Sequence, residues 1–221
     1  MRNHRAFKDE INTQFARIAK ALANPHRFEM IDLLAQGERS VEEIAVETEL
    51  SLANASQHLQ ALREGRLVVR HKDGLHVYYR LADPSVFKLV QAIRETAEQQ
   101  LAEVEQVVEA YLHDRGSLDS MSLDDLRSHI AEKDVVVLDV RPVVEYQQGH
   151  IAAALSIPID ELETRLGELP SDVDIVAYCR GPYCVFSDEA VQLLSSRGYK
   201  ARRLRDGYPD WELAGLPVER A

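Results

Sequence analysis

The sequence predicts two domains of different class, a mostly α domain closed by a β-hairpin and then an α/β domain on a parallel sheet. Three observations carry this. Apolar residues recur at helical spacing from Phe7 to Leu62, then give way to two β-rich runs around Asp73-Gly74. A polar stretch, HDRGSLDSMS at 113–122, follows a long helical pattern. Beyond it, strand-like runs alternate with helical ones, as in a parallel sheet with crossover helices. The expected boundaries are 1–113 for the first domain, 114–121 for a linker and 122–221 for the second.

In chain order, Phe7, Ile11, Phe15, Ile18 and Leu22 mark a first helix. Asn24-Pro25 reads as a cap followed by a first-turn proline, opening a helix through Phe28, Ile31 and Leu34 that stops at Gly37. Ser40-Val-Glu-Glu43 has the form of a capping box and starts a short third helix. A tight turn at 48–51 leads into a fourth, with Leu52, Ala55, Leu59 and Leu62 as its buried stripe. The hairpin LVVRHK-DG-LHVYYRL follows. One long helix is expected from Pro84 to about Leu112. Its stripe of Val86, Val90, Ile93, Ala97, Leu101, Val104, Val108 and Tyr111 advances by threes and fours. That stripe predicts packing against a second chain, the alternative being a cover for the first two helices. In the second half VVVLDV, IAAALSIP, DIVAYC and ARRLRD read as strands, with helices at 122–132, 160–168 and 185–197.

Hydrophobic content of 45% and charged content of 29% are those of a soluble globular chain. The charged, amphipathic N-terminus is no signal peptide, and no run approaches the roughly 18 apolar residues a membrane span needs. Two cysteines without an export signal indicate a reducing cytoplasm and a working thiol pair. The net charge of −11 opposes nucleic-acid binding when counted over the whole chain. Residues 51–80, however, hold five Lys/Arg against two Asp/Glu, plus three histidines. A local basic patch is what phosphates respond to.

Two short helices joined by a tight turn, then a basic hairpin, make a winged helix-turn-helix. The face of the fourth helix opposite its stripe presents Asn54, Gln57 and Gln60, flanked by Ser56 and His58, with no acid among them. Asn and Gln pair with adenine's major-groove edge, and Ser bonds phosphate or base. Arg63, Arg66, Arg70 and Lys72 are placed to hold phosphates, which supplies affinity more than sequence information.

These residues, with Ala55-Ser56-Gln57-His58-Leu59, Leu62 and Leu67-Val68 as the signature, resemble the ArsR/SmtB family of bacterial repressors over about residues 13–110. The resemblance implies a winged-helix homodimer built from the first helix and the 84–112 helix, bound to operator DNA. It does not carry over an inducer site. The helix at 41–47 lacks the cysteines that bind arsenite or soft metals in many relatives, and 84–112 has no histidine, with His113 alone at its end. Zinc needs about four N, S or O ligands. No metal and no cofactor is expected.

Both cysteines lie in AYCRGPYCVFSD, residues 177–188. Cys179 falls at the C-terminal end of a strand with a helix starting near Val185, the edge where open α/β sheets place reactive groups. The amides of the loop Arg180–Cys184, including Gly181 and Tyr183, are expected to curl toward the Cys179 sulfur. With the following helix's positive end, they would favour a thiolate. Arg180 adds charge, and Pro182 stiffens the loop without offering an N–H. The plain alternative is a buried structural cysteine.

The pieces Val137–Arg141, Glu145-Tyr146, Gly149-His150-Ile151, Ile157-Pro158, Tyr178-Cys179, Gly207–Trp211 and Ala214–Pro217 occur in the order seen in a single-domain rhodanese. The resemblance covers about residues 118–219. It implies a rhodanese-like α/β parallel sheet in which Cys179 takes a sulfane sulfur as a persulfide and passes it to a thiophilic acceptor. Asp139 and Arg141 would support the site, Arg141 pairing with Glu145, and His150 would pack or hydrogen-bond. Two positions depart from the family. Pro182 stands where glycine is usual, and Cys184 where a cation is common, which weakens binding of anionic donors and permits a disulfide or polysulfide bridge to Cys179. Val185 stands where loop phosphatases and related arsenate reductases need arginine, which disfavours that chemistry.

The expectation is a cytoplasmic dimeric regulator whose second domain senses small sulfur species or oxidants through Cys179 and Cys184. Two rivals stay open: a sulfurtransferase with an appended DNA-binding domain, and a sensor that chelates arsenite or another soft ion with the two thiols.

Overall fold

The computed structural model describes residues 4–112 and 118–220. His113 and most of the expected linker lie outside them. The chain divides into two compact units, Met1–Arg94 and Glu95–Ala221.

The first unit runs α1 (His4–Leu22), α2 (Pro25–Ala35), β1 (Arg39–Ser40), α3 (Val41–Glu47), α4 (Leu52–Glu64), β2 (Val68–Asp73), β3 (His76–Leu81) and the start of α5 (Ser85–Gln100). The caps follow from the sequence. The Asn24 side chain accepts from the Arg27 N–H ahead of Pro25, and Ser40 with Glu43 closes a capping box. Ser51 caps α4 by accepting from the Asn54 N–H. β2 and β3 pair antiparallel down to Asp73 opposite His76, and Gly74 takes the turn at φ 57°. The short β1 adds a third strand beside β3, which the hairpin signal did not foretell. Met30, Ile31, Ile44, Ala55, Leu59 and Leu62 form the core, sealed by Val86 and Val90 of α5. Leu52 is not in it. It is the first residue of α4 and is half exposed.

The expected single helix over 84–112 is two. α5 ends at Gln100, Leu101 is extended (φ −119°, ψ 101°), and α6 (Ala102–Tyr111) follows. Neither glycine nor proline marks the break. The Leu101 N–H still donates to the Ala97 carbonyl and its carbonyl still accepts from Val104, so both helices keep their end bonds. The stripe is shared out accordingly: Val86 and Val90 cover the first core, while Leu101 and Tyr111 stay exposed.

The second unit continues with β4 (Ser120–Met121), α7 (Leu123–Glu132), β5 (Val135–Asp139), α8 (Val143–Gln148), β6 (His150–Ile151), β7 (Leu155–Ser156), α9 (Ile159–Arg165), β8 (Asp174–Tyr178), α10 (Phe186–Ser196), β9 (Ala201–Leu204), α11 (Tyr208–Leu213) and β10 (Val218–Glu219). Five strands form a parallel sheet in the order β4-β9-β8-β5-β7, so β8 is central. IAAALSIP gives two short strands, because Ala153 turns the chain at φ 63°. β6 leaves the sheet to pair with β10, and β7 pairs with β5. Strand alternation divides β8 between two cores: Ile175 and Ala177 face α9 and α10, while Val176 and Tyr178 face α7 and α11.

Candidate functional site

Cys179 follows β8 and continues the Ile175–Ala177 face, packed among Ala190, Val191 and Leu194 of α10. The chain then turns through Arg180–Tyr183 to Cys184, whose N–H donates to the Gly181 carbonyl at 3.1 Å. The two sulfurs are bonded, closing a disulfide with Cα atoms 6.2 Å apart. Cys179 is 1% exposed. Cys184 is half-buried, flanked by the exposed Tyr183 and Val185. In this oxidised state the expected thiolate is absent: the Cys179 sulfur is bonded and buried, and Cys184 is the member nearer solvent.

The turn is held from behind. The Cys179 carbonyl accepts from the Tyr208 N–H at 3.1 Å. Gly207 lies so close that a Cβ there would come within 2.4 Å of the Arg180 carbonyl carbon and the Gly181 nitrogen. The matched Gly207–Trp211 stretch is therefore a backing for the cysteine turn, with the Trp211 indole N–H anchored on the Pro217 carbonyl at 2.8 Å.

Beneath it runs a buried set of alternating charges. The Arg180 guanidinium, expected to serve the sulfur, is directed at Glu145, with Nε and Nη2 at 3.0 and 2.7 Å from Oε1. Arg141 puts its fork on Asp139, with Nε–Oδ1 3.0 Å and Nη2–Oδ2 2.6 Å, and Nη2 also donates to the Gly149 carbonyl. The Arg141 fork takes Asp139, two residues before it, in bidentate pairing, and Glu145 acts on the same guanidinium. Burial opposes the Arg141 charge most strongly; Asp139, Tyr178 and Glu145 together outweigh it, so Arg141 stays protonated. The Tyr178 hydroxyl donates to Asp139 Oδ2 at 2.5 Å and accepts from the Ile151 N–H, and burial first, then Asp139, pushes its pKa well up. Arg141 also lies 4.4 Å from the centre of the Tyr208 ring. His150 stacks on Tyr146 and bonds its carbonyl at 2.8 Å.

On the first unit, Asn54, Ser56 and Gln57 are exposed along α4, and Arg70 and Lys72 along β2. Gln60 is half-buried and donates to Glu64, and Arg63 is half-buried near the helix end. His58 is also half-buried, 5.5 Å from His26, and burial, then His26 and Arg27, depress its pKa. On the hairpin, His71 lies 3.1 Å from Glu38 and His76 3.8 Å from Glu42. Sequence spacing missed these acid neighbours. It also missed His129, Glu132 and Asp134, whose ligand atoms lie within 4.8 Å at the exposed end of α7.

Residues 24–69 match the arsR family of bacterial regulatory proteins, and residues 122–214 match the rhodanese-like domain. HTH-type transcriptional regulator Rv0324 of Mycobacterium tuberculosis is 46% identical over 207 residues, covering 93% of this chain and 90% of that protein. A sulfurtransferase of Allochromatium vinosum is 37% identical over 87 residues, covering 39% of this chain and 79% of its own. The biofilm growth-associated repressor of Agrobacterium fabrum is 35% identical over 81 residues, covering 37% and 69%.

Proposed function

The chain belongs to the arsR family of DNA-binding transcriptional regulators and joins a winged helix-turn-helix to a rhodanese domain, and from that premise we propose a sulfur- or redox-responsive repressor. It works in the cytoplasm as a homodimer. α4 carries the base-reading residues Asn54, Ser56, Gln57 and Gln60. Arg63, Arg70 and Lys72 hold phosphates. The sensor is the pair Cys179 and Cys184. The observation that carries this reading is the disulfide itself: all the thiols of the chain are in one bond at the end of β8, and the DNA-reading half has none.

The chemistry closes without any further group. A hydropersulfide gives its outer sulfur to the Cys179 thiolate, forming the Cys179 persulfide and releasing the donor's thiolate. The Cys184 thiolate then attacks the inner Cys179 sulfur and expels hydrosulfide, leaving the disulfide. The donor is the two-electron oxidant. Disulfide and dithiol forms bias the dimer to different operator affinities. The test is a gel shift with reduced, disulfide and polysulfide-treated protein beside Cys179→Ser. The wild type should change operator affinity at least fivefold and the serine variant should not. A serine variant that responds equally rejects the sensor.

The likeness to a sulfurtransferase keeps catalytic turnover as a second reading, which multiple-turnover release of sulfide to a thiol acceptor would establish.

A further inference from the structure

The outer wall of the cysteine turn, Pro182 and Tyr183, faces a cavity of about 430 Å³. Opposite stand Val104 and Val108 of α6, which the break at Leu101 separates from α5. Glu98, from the last turn of α5, and Glu105 supply two carboxylates. Arg203 and Arg205, at the C-terminal end of β9, supply two guanidiniums. All of these belong to the second unit. Tyr183, the residue before Cys184, donates its hydroxyl to Glu98.

We propose that this cavity binds a low-molecular-weight thiol of amino-acid type, carrying both a carboxylate and an ammonium, which exchanges with the Cys179–Cys184 disulfide. The proposal rests on the redox reading of that pair and names its co-reactant. Three features argue for a zwitterion. Arg203 is already paired with Asp188 at 3.3 Å, which leaves Arg205 against Glu98 and Glu105; a simple anion such as thiosulfate is therefore disfavoured, whereas a zwitterion offers its carboxylate to Arg205 and its ammonium to the glutamates. The charges are close enough to feel one another: burial raises the Asp206 carboxyl beside them, Arg205 and Arg203 lower it, and Glu98 raises it again. Arg205 is 62% exposed and only 3.9 Å from Asp206, a long pairing that a ligand carboxylate can replace. Val104, Val108 and Pro182 suit the methylene that joins the thiol to the charged carbon. The volume falls near the lower end of small-molecule sites, about 300–1,000 Å³.

The reaction balances. The bound thiolate attacks the Cys184 sulfur, the nearer of the two to solvent, and the electron pair of the broken bond leaves on Cys179. A second thiolate attacks the ligand's sulfur in that mixed disulfide, releasing the free disulfide and the Cys184 thiolate.

The test uses the oxidised full chain and acid-quenched mass spectrometry of the mixed disulfide at Cys184. L-cysteine is compared at equal thiolate concentration with 3-mercaptopropionate, which lacks the ammonium, and cysteamine, which lacks the carboxylate. L-cysteine should saturate and react at least tenfold faster than either, and Arg205→Gln should bring it down to the cysteamine rate. Three unsaturated rates on one line against thiol pKa overturn the site, whatever the variant does. That failure is separable from failure of the sensor. Equal thiol rates with a Cys179→Ser protein that loses its operator response remove the site alone. Saturation by L-cysteine with a Cys179→Ser protein that keeps the response removes the sensor alone.

Discussion

Asp139 accepts from the Arg141 backbone N–H, the Arg141 fork and the Tyr178 hydroxyl while wholly buried. Such a carboxylate is tolerable only while those donors remain. Arg141→Met should therefore cost roughly 3–5 kcal/mol of stability, because it strands the charge rather than removing the pair. Tyr178→Phe should cost roughly 1–3 kcal/mol, the price of one lost donor and one orphaned Ile151 N–H. Urea unfolding of the full chain, followed by Trp211 fluorescence, reads both; equal midpoints for Arg141→Met and wild type would contradict the account. His58 gives a pH-dependent counterpart. Its pKa in the folded chain is depressed, so the unfolded chain binds the proton more readily and stability rises with pH. The contribution is whole above the ordinary histidine value of about 6.5 and is lost as pH falls through the lowered folded value. Thermal melts between about pH 7.5 and pH 5 should fall less steeply for His58→Gln than for wild type.

The cysteine turn owes its shape to a neighbour remote in sequence. Gly207 leaves no room for a methyl group, and the obstruction is backbone, which cannot rotate aside. Gly207→Ala should push Arg180 and Gly181 outward, slow closure of the disulfide by tenfold or more on mild oxidation, and leave DNA affinity of the reduced protein unchanged. Thiol counting with a chromogenic disulfide over time checks this; an unaltered closure rate would mean the loop does not depend on that contact. Local features of the fold were legible in the chain. Caps at Asn24 and Ser40, the Asp73-Gly74 turn and the strand-end position of Cys179 are local chemistry, and each was readable from adjacent residues. The break at Leu101 was not, since no residue there opposes a helix. Nor was the direction of Arg180, because Glu145 reaches it from 35 positions away. Leu52 satisfies helical periodicity yet lies beyond the edge of its core, a fact of tertiary placement alone.

At the scale of the whole molecule, the chain exposes a stripe it does not cover. Phe7 and Phe15 are 66% and 64% exposed on α1, with Ile11 between them at 37%, all on one helical face. Large exposed aromatics in register mark an interaction surface in a globular chain. α5 spends Val86 and Val90 on the intrachain core, and Val104 and Val108 of α6 line the cavity beside the cysteine turn, so only part of the 84–112 stripe, Leu101 and Tyr111 among it, stays exposed. The proposed homodimer should therefore depend on α1 more than the uninterrupted 84–112 stripe suggested. Phe7→Glu with Phe15→Glu places two charges where the two copies would meet. Sedimentation should then report 25.0 kDa in place of twice that mass. Operator affinity should drop by roughly a hundredfold, since two linked recognition helices lose their mutual effective concentration. The L-cysteine reaction at Cys184 should persist in the monomer, because every residue it uses comes from one second unit. A double variant that still sediments as a dimer would show that this aromatic stripe serves another contact.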